Sequence, residues 1–544
     1  MKGRDIVKSK KASTYALMLV LVALFSCNIC LSQQFERVET LIGLGNLEEN
    51  NSVSVADIDG DYDLDIFVVA KAKDKSGVEK SHSRLLRNDN GAFTDITASS
   101  GLVNLLPEDG ISDFHPGLGG HKLGSFWGDY DNDGLPDLFL THYLKVQLFQ
   151  NRGNGYFVDV TEQSGISGNI DCFITGATWT DYDNDGFLDL FINDWGKCDD
   201  EILYKNNRNG TFSKVSIGLP NTGSTFNMLP FDFNNDGYKD FYITNDFEKE
   251  NLLYINHNGS TFEEKANDYG LNSTIDDMGI TVGDFNLDGF FDFLISGINT
   301  YALYQNNGNN YFAETSRENG LIAKTTKWSW ATRFADFDLD GDEDIFIVNG
   351  FVDTDPQTNV YYKNLYKEGQ SKFEDLSSEA NLDDLSKSLE AVEFDYDNDG
   401  DLDIFVACND RPSFFYENRT INYGQNSTHK WFKVALEGTV SNKNAYGTKV
   451  AIKTSGGNYV RYFSGVGMLS QNLTPVHFGL AESDKVDELT IFWPSGLVET
   501  YSNIESNVLI KATEGNGFEV IDLAPVAKVF GCTDKNSCNY NPMA

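Results

Sequence analysis

One acidic pattern of nine residues recurs seven times and constrains the fold more than any other feature. Its clearest copy runs from Asp181 to Asp189, with aspartate at positions 1, 3, 5 and 9 and glycine at position 6. The copies, called loops 1 to 7 below, begin at Asp57, Asp129, Asp181, Asp232, Asp284, Asp336 and Asp395. Successive copies start 72, 52, 51, 52, 52 and 59 residues apart. A fixed period of about 50 residues indicates one supersecondary unit that is repeated along the chain.

The carboxylates of each loop predict a site for a hard cation. Alternate residues of a tight loop direct their oxygens towards one centre, where three or four carboxylates repel one another unless a cation neutralises them. Ca²⁺ suits such a centre because it takes roughly 6–8 oxygen ligands in flexible geometry. We therefore expect up to seven calcium ions, one per loop. The predicted ligands are Asp57, Asp59, Asp61 and Asp65; Asp129, Asp131, Asp133 and Asp137; Asp181, Asp183, Asp185 and Asp189; Asp232, Asn234, Asp236 and Asp240; Asp284, Asn286, Asp288 and Asp292; Asp336, Asp338, Asp340 and Asp344; and Asp395, Asp397, Asp399 and Asp403.

The loops differ from EF-hands. An EF-hand needs a glutamate at position 12, whereas the residues at that position here are apolar: Val68, Leu140, Ile192, Ile243, Ile295, Ile347 and Val406. Short runs rich in Phe, Ile and Val follow each loop, as is typical of strands. Each loop is therefore predicted to join two strands. Glycine at position 6 permits the sharp turn, although loop 1 has Gly60 at position 4 and Tyr62 at position 6. The alternative is an acidic turn that binds no metal.

A second pattern follows each loop and completes the repeated unit. An apolar stretch, an Asn/Gly cluster and an aromatic stretch predict a hairpin, as in residues 203–212 and 303–312. Each unit thus contains four antiparallel strands, A to D, which is the size of a propeller blade. The seventh unit has no D strand of its own. Residues 34–42 precede Asp57 by the appropriate distance and are predicted to supply that strand. The sequence therefore predicts an all-β fold, with a seven-bladed β-propeller over residues 34–419 that the N-terminal strand closes.

Strand alternation assigns the connections to two faces. The acidic loops and the Asn/Gly turns share one face, whereas the insertions at 71–83, 99–124 and 193–200 fall on the other. Binding sites often lie on long loops of a rigid scaffold, so this second face is the candidate binding face. The alternative is that the insertions are tolerated and have no binding function. Cys172 and Cys198 fall on that same face, and a disulfide between them is plausible in an exported chain.

The N-terminus and the overall charge bear on location and partners. Residues 1–32 combine lysines and an arginine with a short apolar run, as in a cleaved export signal. A lipid anchor at Cys27 is the alternative. No later segment is long and apolar enough to span a membrane. The formal net charge is −40, with 82 acidic and 42 basic residues. Such a charge disfavours nucleic acids and anionic membranes as partners.

The sequence contains no recognisable catalytic motif. It has neither a nucleotide-binding glycine loop nor a Gly-x-Ser-x-Gly elbow. The first two units contain four histidines, His82, His115, His121 and His142, and three of these lie in or beside the insertions. They leave a transition-metal or acid–base site open, although no His-Glu-x-x-His motif supports one. A hydrolase or lyase that uses scattered residues is a further alternative.

Two resemblances become specific in the C-terminal part. A small β-sandwich-like domain is predicted over 428–515, followed by a linker and the start of a cysteine-containing repeat over 516–544. The seven loops resemble FG-GAP/VCBS repeats, which integrin α-subunit propellers also contain. The stretch 438–447, together with the motifs around Gln471, His477 and Trp493, resembles an ASPIC/UnbV domain. The combination resembles the cartilage acidic protein-like family.

The resemblance implies an exported calcium-binding propeller with adhesion or matrix contacts and no established catalysis. It supports the loop aspartates as calcium ligands and gives His477 and Trp493 no role beyond packing. The predicted function is that of a secreted or cell-surface, non-catalytic adhesion or recognition module for an extracellular protein or glycan. The alternatives are a polysaccharide-active hydrolase or lyase on the same scaffold, and a structural spacer of a larger surface protein. The cysteine-containing tail resembles repeats after which more sequence normally follows.

Overall fold

The described part of the chain covers both predicted globular regions. The computed structural model describes residues 34–45, 47–71, 82–102, 122–142, 145–167, 170, 172–195, 201–216, 218–220, 224–323, 327–351, 354–421 and 428–523. The predicted export signal, Cys27, Cys198, most of the three insertions and residues 524–544 lie outside these ranges. Within the described residues, no helix is long and apolar enough to cross a membrane.

Six four-stranded antiparallel blades follow one another in chain order, each built as strands A, B, C and D from the inside outward. Their bounds in blades 1 to 3 are Asn50–Ala56, Asp65–Ala70, Arg84–Asn88 and Phe93–Asp95; Lys122–Gly128, Asp137–His142, Lys145–Asn151 and Phe157–Asp159; and Ile174–Thr180, Asp189–Asp194, Ile202–Asn206 and Phe212–Val215. In blades 4 to 6 they are Thr225–Phe231, Asp240–Asn245, Leu252–His257 and Thr261–Glu264; Asp277–Gly283, Asp292–Gly297, Tyr301–Asn306 and Phe312–Glu314; and Ser329–Ala335, Asp344–Asn349, Val360–Asn364 and Phe373–Asp375.

The seventh blade joins the two ends of the propeller. Its strands A to C are Ser388–Phe394, Asp403–Cys408 and Phe414–Asn418, and Phe35–Arg37 pairs antiparallel with strand C as its fourth strand. Strand A of each blade contacts strand A of the next, and blade 7 contacts blade 1 in the same way. The prediction of a seven-bladed propeller closed by the N-terminal strand is confirmed. The strand is shorter than residues 34–42 because the chain turns after Arg37, where Leu41 N donates to Val38 O at 2.7 Å.

Four smaller features complete the propeller. A helix of one turn, Ala266–Tyr269, lies between blades 4 and 5, and the short strands Gln357–Thr358 and Leu385–Ser386 pair with each other. Cys172 is disulfide-bonded, and its predicted pairing with Cys198 stays a prediction because Cys198 lies outside the described ranges. Cys408 is a buried free thiol at the end of strand B of blade 7.

Two four-stranded sheets form the second domain, as predicted for a β-sandwich-like unit. One contains Gly457–Phe463, Thr448–Thr454, Lys485–Phe492 and Val498–Glu505, and the other contains Val476–Ala481, Lys430–Glu437, Val508–Thr513 and Gly517–Ile521. Alternating apolar residues of the two sheets meet in a shared core that includes Phe432, Val450, Phe478, Leu489 and Ile510. The last strand ends beyond residue 515.

A segment of the second domain enters the centre of the propeller. Within residues 464–473, called the central segment, Ser470–Gln471 pairs in parallel with Ser125 and Phe126 of blade 2. The Gln471 side chain accepts a hydrogen bond from Trp179 N at 2.7 Å and donates one to Trp179 O at 3.1 Å. Asn227 of blade 4 donates to Gly467 O at 2.9 Å. These contacts join the second domain to the inner strands of several blades.

Candidate metal centres

All seven loops follow one backbone path, with left-handed residues at positions 4 and 6. In loop 1 these residues are Gly60, with φ 85°, and Tyr62, with φ 69°. In the other loops position 4 is Asn or Leu and position 6 is Gly, again with positive φ. Glycine adopts this conformation without steric cost, and asparagine tolerates it. Loop 1 therefore keeps the shared path although its glycine has moved by two positions.

The aspartate at position 1 holds the turn together. In loop 3, Asp181 Oδ1 accepts from Asp185 N at 2.9 Å, and its Oδ2 accepts from Gly186 N at 3.0 Å. The equivalent bond to the position-6 amide occurs in every loop. The turn thus places the position-1 carboxylate in its centre, where it is also available to a cation.

The aspartate at position 9 fastens each loop to strand C. In loop 3, Asp189 Oδ1 accepts from Asn206 N at 2.8 Å, and Oδ2 accepts from Tyr182 N at 3.4 Å. The first of these bonds recurs in all seven blades. Position 9 was predicted only as a metal ligand, and the geometry gives it this structural role as well.

An asparagine at the end of strand C ties neighbouring blades together, and sequence reasoning missed it. Asn206 Nδ2 donates to Leu188 O of its own loop at 3.0 Å and to Tyr130 O of loop 2 at 2.7 Å. The bond to the preceding blade's loop occurs for six such residues: Asn88, Asn151, Asn206, Asn256, Asn364 and Asn418. The signal was the recurrence of asparagine at this point of each unit.

Replacing one such asparagine should destabilise the propeller. In Asn206→Ala, the buried carbonyls of Leu188 and Tyr130 would lose their donor, and each such group costs about 1–3 kcal/mol. We expect the free energy of unfolding to fall by about 2–4 kcal/mol, measured by urea denaturation. Asn207→Ala is the matched control, because that neighbouring side chain is exposed, and should cost under about 0.5 kcal/mol. Equal losses would contradict the role assigned to Asn206.

Carboxylate oxygens converge in at least four loops. Oxygens from positions 1, 3 and 5 lie within 4.8 Å of one another in loops 1 and 6, and those from positions 1, 3 and 9 do so in loops 2 and 3. Because Ca–O distances are about 2.3–2.6 Å, two oxygens on opposite sides of one ion stand about 4.6–5.2 Å apart. In loops 4 and 5 the position-3 asparagine donates to the aspartate at position 5 at 3.0 Å. The spacing suits one ion per loop.

Burial makes the ionised loops costly without a cation. It raises the pKa of Asp129 and Asp181 to about 7, of Asp65 to about 8 and of Asp292 to about 9. Neighbouring aspartates raise these pKa values further, since like charges disfavour ionisation. Among the described residues, one buried oxygen each of Asp292 and Asp336 accepts no hydrogen bond. A bound divalent ion would stabilise the ionised form of these carboxylates and would also give the unbonded oxygens a partner.

Position 7 carries an aspartate in three loops, which the sequence reasoning did not include. Asp63, Asp342 and Asp401 each accept a hydrogen bond from a backbone amide just beyond the end of strand C, at 2.7, 2.8 and 3.0 Å respectively. These bonds anchor the loop to the segment that follows strand C. In loop 6, Asp342 also lies near Asp340 and Glu368, and their oxygens approach within 4.8 Å.

The loop face of the propeller carries the second domain. Gly479 N donates to Asp336 Oδ2 at 3.0 Å, and Asp129 N donates to Asn444 Oδ1 at 2.6 Å. His477 Nε2 lies 2.9 Å from Gly400 O, and burial lowers the pKa of His477 to about 4, so the ring is neutral. His477 therefore contacts loop 7. Trp493, in contrast, is buried within the second domain and donates to Glu499 at 2.7 Å.

Segments of the propeller and of the second domain match known sequence families. Residues 438–518 match the ASPIC and UnbV family, and residues 129–192, 232–295 and 284–347 match the FG-GAP-like repeat. A solved Agrocybe aegerita lectin that recognises non-reducing terminal N-acetylglucosamine aligns at 16% identity, covering 70% of this chain and 87% of that chain. Its TM-score is 0.35.

Two curated relatives resemble the chain over larger regions. Cartilage acidic protein 1 of Xenopus tropicalis is 24% identical over 336 residues, which are 57% of this chain and 49% of that protein. The Mus musculus protein of the same name is 21% identical over 480 residues, which are 82% of this chain and 71% of that protein. The chain thus spans about half the length of the frog relative. It combines FG-GAP-like repeats with an ASPIC and UnbV domain and is homologous to cartilage acidic protein 1.

Proposed function

We propose that the protein is an exported calcium-binding propeller that serves as a non-catalytic adhesion or recognition module. The observation that carries this proposal is the convergence of carboxylate oxygens in the acidic loops, which are buried or half-buried in loops 2, 3 and 6. The recognised partner is an extracellular protein or glycan, bound on the face opposite the loops. The homology to cartilage acidic protein 1 supports the extracellular setting.

The ligand chemistry of the loops favours Ca²⁺ over other metals. The candidate ligands are aspartate carboxylates and asparagine amide oxygens, without the nitrogen or sulfur ligands that zinc and copper sites use. Flexible coordination at about 2.3–2.6 Å suits Ca²⁺, whereas Mg²⁺ demands near-octahedral geometry at about 2.0–2.1 Å. Extracellular Ca²⁺ modules work with weak sites, at Kd values of about 10⁻⁴–10⁻³ M. Moderate affinity in each loop is therefore sufficient.

The face opposite the loops carries a continuous series of aromatic rings. Trp195 packs against Phe247 with tilted rings at 5.2 Å between centroids, and Trp328 stacks on Phe351 at 4.3 Å. Phe226 and Trp330 connect the two pairs, at centroid distances of 5.7 to 6.0 Å along the series. The four residues of the two pairs lie in B–C or D–A connections, beside strand ends that the sequence assigned to the candidate binding face. Aromatic side chains dominate many recognition surfaces.

Phe247 is the most exposed member of this series. Its side chain is 58% exposed, and its φ of 58° is unusual for a bulky residue. Residues held in sparsely populated conformations tend to cluster at binding sites. Glu248 also has positive φ, and its amide donates to Asp276 Oδ1 at 2.7 Å, which fixes the turn. The turn thus holds an aromatic ring towards solvent, as a binding surface requires.

Phe247→Ala tests the recognition role directly. Binding of the full exported chain to a glycan array and to native extracellular matrix should weaken at least about tenfold, because aromatic side chains are the usual binding hot spots. Tyr311→Ala is the matched control: its side chain is 50% exposed in a C–D turn on the loop face, and it should bind as the unaltered protein does. Release of soluble products from a polysaccharide panel would contradict the non-catalytic proposal and support a hydrolase or lyase. Absence of all binding would support a structural spacer.

A further inference from the structure

One position of strand C faces the acidic loop of its own blade. It immediately precedes the asparagine that ties the blades together, and it is called the facing position below. In three blades the side chain at this position reaches the position-3 aspartate of the loop: Gln150 to Asp131, Lys205 to Asp183 and Lys363 to Asp338. The residues at the facing position in blades 1 to 7 are Arg87, Gln150, Lys205, Ile255, Gln305, Lys363 and Glu417.

In loop 3, two cationic side chains already neutralise the middle carboxylates. The Lys205 ammonium is hydrogen-bonded to Asp183 and lies 3.8 Å from Asp185. The Arg208 guanidinium lies 2.8 Å from the same Asp185 oxygen. Positions 3 and 5 of this loop therefore have counter-charges that belong to the chain itself. A calcium ion could enter only by displacing the ammonium group, because two cations at this spacing repel one another strongly.

Loops 6 and 7 also contain an ammonium group, from two different sources. Lys363 is hydrogen-bonded to Asp338 and lies 3.6 Å from Asp340 and 3.1 Å from Glu368. In loop 7 the cation comes from the second domain: Lys433 Nζ lies 2.6 Å from Asp395 Oδ2, and both side chains are buried. The Lys433 ammonium group thus neutralises a carboxylate of loop 7 and also joins the two domains.

Among the described residues, the four remaining loops have no cation at ion-pair distance; the buried Lys239, at position 8 of loop 4, attracts Asp232 from farther away. Gln150 and Gln305 occupy the facing position in blades 2 and 5, and Ile255 occupies it in blade 4. Arg87 in blade 1 pairs with Asp89 of the C–D turn at 3.0 Å. Within the described ranges, no lysine or arginine forms an ion pair with the aspartates of loops 1, 2, 4 or 5. In each of these loops burial raises the pKa of at least one aspartate, as for Asp65, Asp129, Asp240 and Asp292, so the ionised loop still needs a counter-charge.

We propose that Lys205, Lys363 and Lys433 are built-in counter-cations that take the place of calcium in loops 3, 6 and 7. Calcium then occupies loops 1, 2, 4 and 5, so the protein binds four ions and not seven. This inference rests on the proposed calcium function and narrows it to named loops. The ring then contains two classes of blade. Lysine neutralises loops 3, 6 and 7 at any calcium concentration, whereas loops 1, 2, 4 and 5 require the ion for their neutralisation.

Calcium stoichiometry separates the two classes. Equilibrium dialysis of the full chain against millimolar Ca²⁺, followed by elemental analysis, should give four ions per chain. Lys205→Gln and Lys363→Gln introduce the residue that blades 2 and 5 have naturally, and each should raise the count by one. Lys214→Gln, an exposed lysine at the edge of blade 3, is the matched control and should leave the count at four. A calcium crystal structure of Lys205→Gln should show the additional ion in loop 3.

The outcomes distinguish the inference from the function on which it rests. Seven ions in the unaltered protein would overturn the inference and leave the calcium function intact, whereas no bound ion would overturn both. A count that stays at four in Lys205→Gln would overturn the role of the lysine. If the lysine variants do not fold, Gln305→Lys tests the same rule in reverse. It should reduce the count to three, and an unchanged count would overturn the inference.

Discussion

Arg333→Ala is expected to lower the free energy of unfolding by about 3–5 kcal/mol, because it leaves a buried carboxylate without its counter-charge. Arg333 Nη2 lies 2.8 Å from Glu390 Oε1, and the two side chains are 5% and 0% exposed. Arg333 Nε also donates to Ala391 O at 2.8 Å. Burial raises the pKa of Glu390, whereas Arg333 lowers it. Urea denaturation at neutral pH measures the loss.

The same substitution should loosen the central segment. Glu390 Oε2 accepts from Leu469 N at 2.6 Å and from Ser470 Oγ at 3.0 Å, so this carboxylate holds the segment in the propeller. Hydrogen exchange at the Leu469 amide should accelerate in Arg333→Ala. Arg84→Ala is the control: its pair with Asp95 is largely exposed and should be worth less than about 1 kcal/mol. Similar losses in both variants, with unchanged exchange, would contradict the role of the buried pair.

Removal of calcium is expected to have the largest effect of all. An ion that binds only the folded state stabilises it by RT ln(1 + [L]/Kd), which is about 1.4 kcal/mol per site at ten times Kd. Four such sites contribute about 6 kcal/mol. With an unfolding entropy of about 2 cal/mol/K per residue, the melting temperature of a chain this long should fall by about 6 °C in excess EDTA. Scanning calorimetry with and without calcium measures the shift.

Single-loop variants and a second metal provide the controls for chelation. Asp288→Ala alters only loop 5 and should lower the melting temperature by about a quarter of the shift that EDTA causes, since three sites remain. Ca²⁺ added after EDTA should restore the transition, whereas the same concentration of Mg²⁺ should restore less of it. A melting curve that exhaustive chelation leaves unchanged would contradict calcium occupancy.

The propeller could be predicted from the sequence because each blade repeats the same local signals. Loop spacing gave the number of blades, and the position of Phe35 relative to Asp57 gave the closing strand. Both depend on patterns that are local in sequence. Strand-like stretches such as the one that forms Thr448–Thr454 likewise predicted the second domain as a β-sheet unit.

The contacts between the domains could not be predicted in this way. Ser470 and Gln471 belong to a connection of the second domain, yet they bond to strands of blades 2 and 3 that lie about 300 residues away in sequence. No local periodicity specifies such a partner. The cationic side chains raise the same difficulty, because Lys433 approaches Asp395 only after the second domain has packed on the loop face.

The most direct test of the account is a crystal structure grown in millimolar calcium, with anomalous scattering measured at long wavelength. The account predicts anomalous peaks within coordination distance of the position-1 aspartates of loops 1, 2, 4 and 5, which are Asp57, Asp129, Asp232 and Asp284. Each peak should have oxygen neighbours at about 2.3–2.6 Å. Ordered loops without any such peak, at a calcium concentration well above the weakest expected Kd, would contradict the claim that the acidic loops bind calcium.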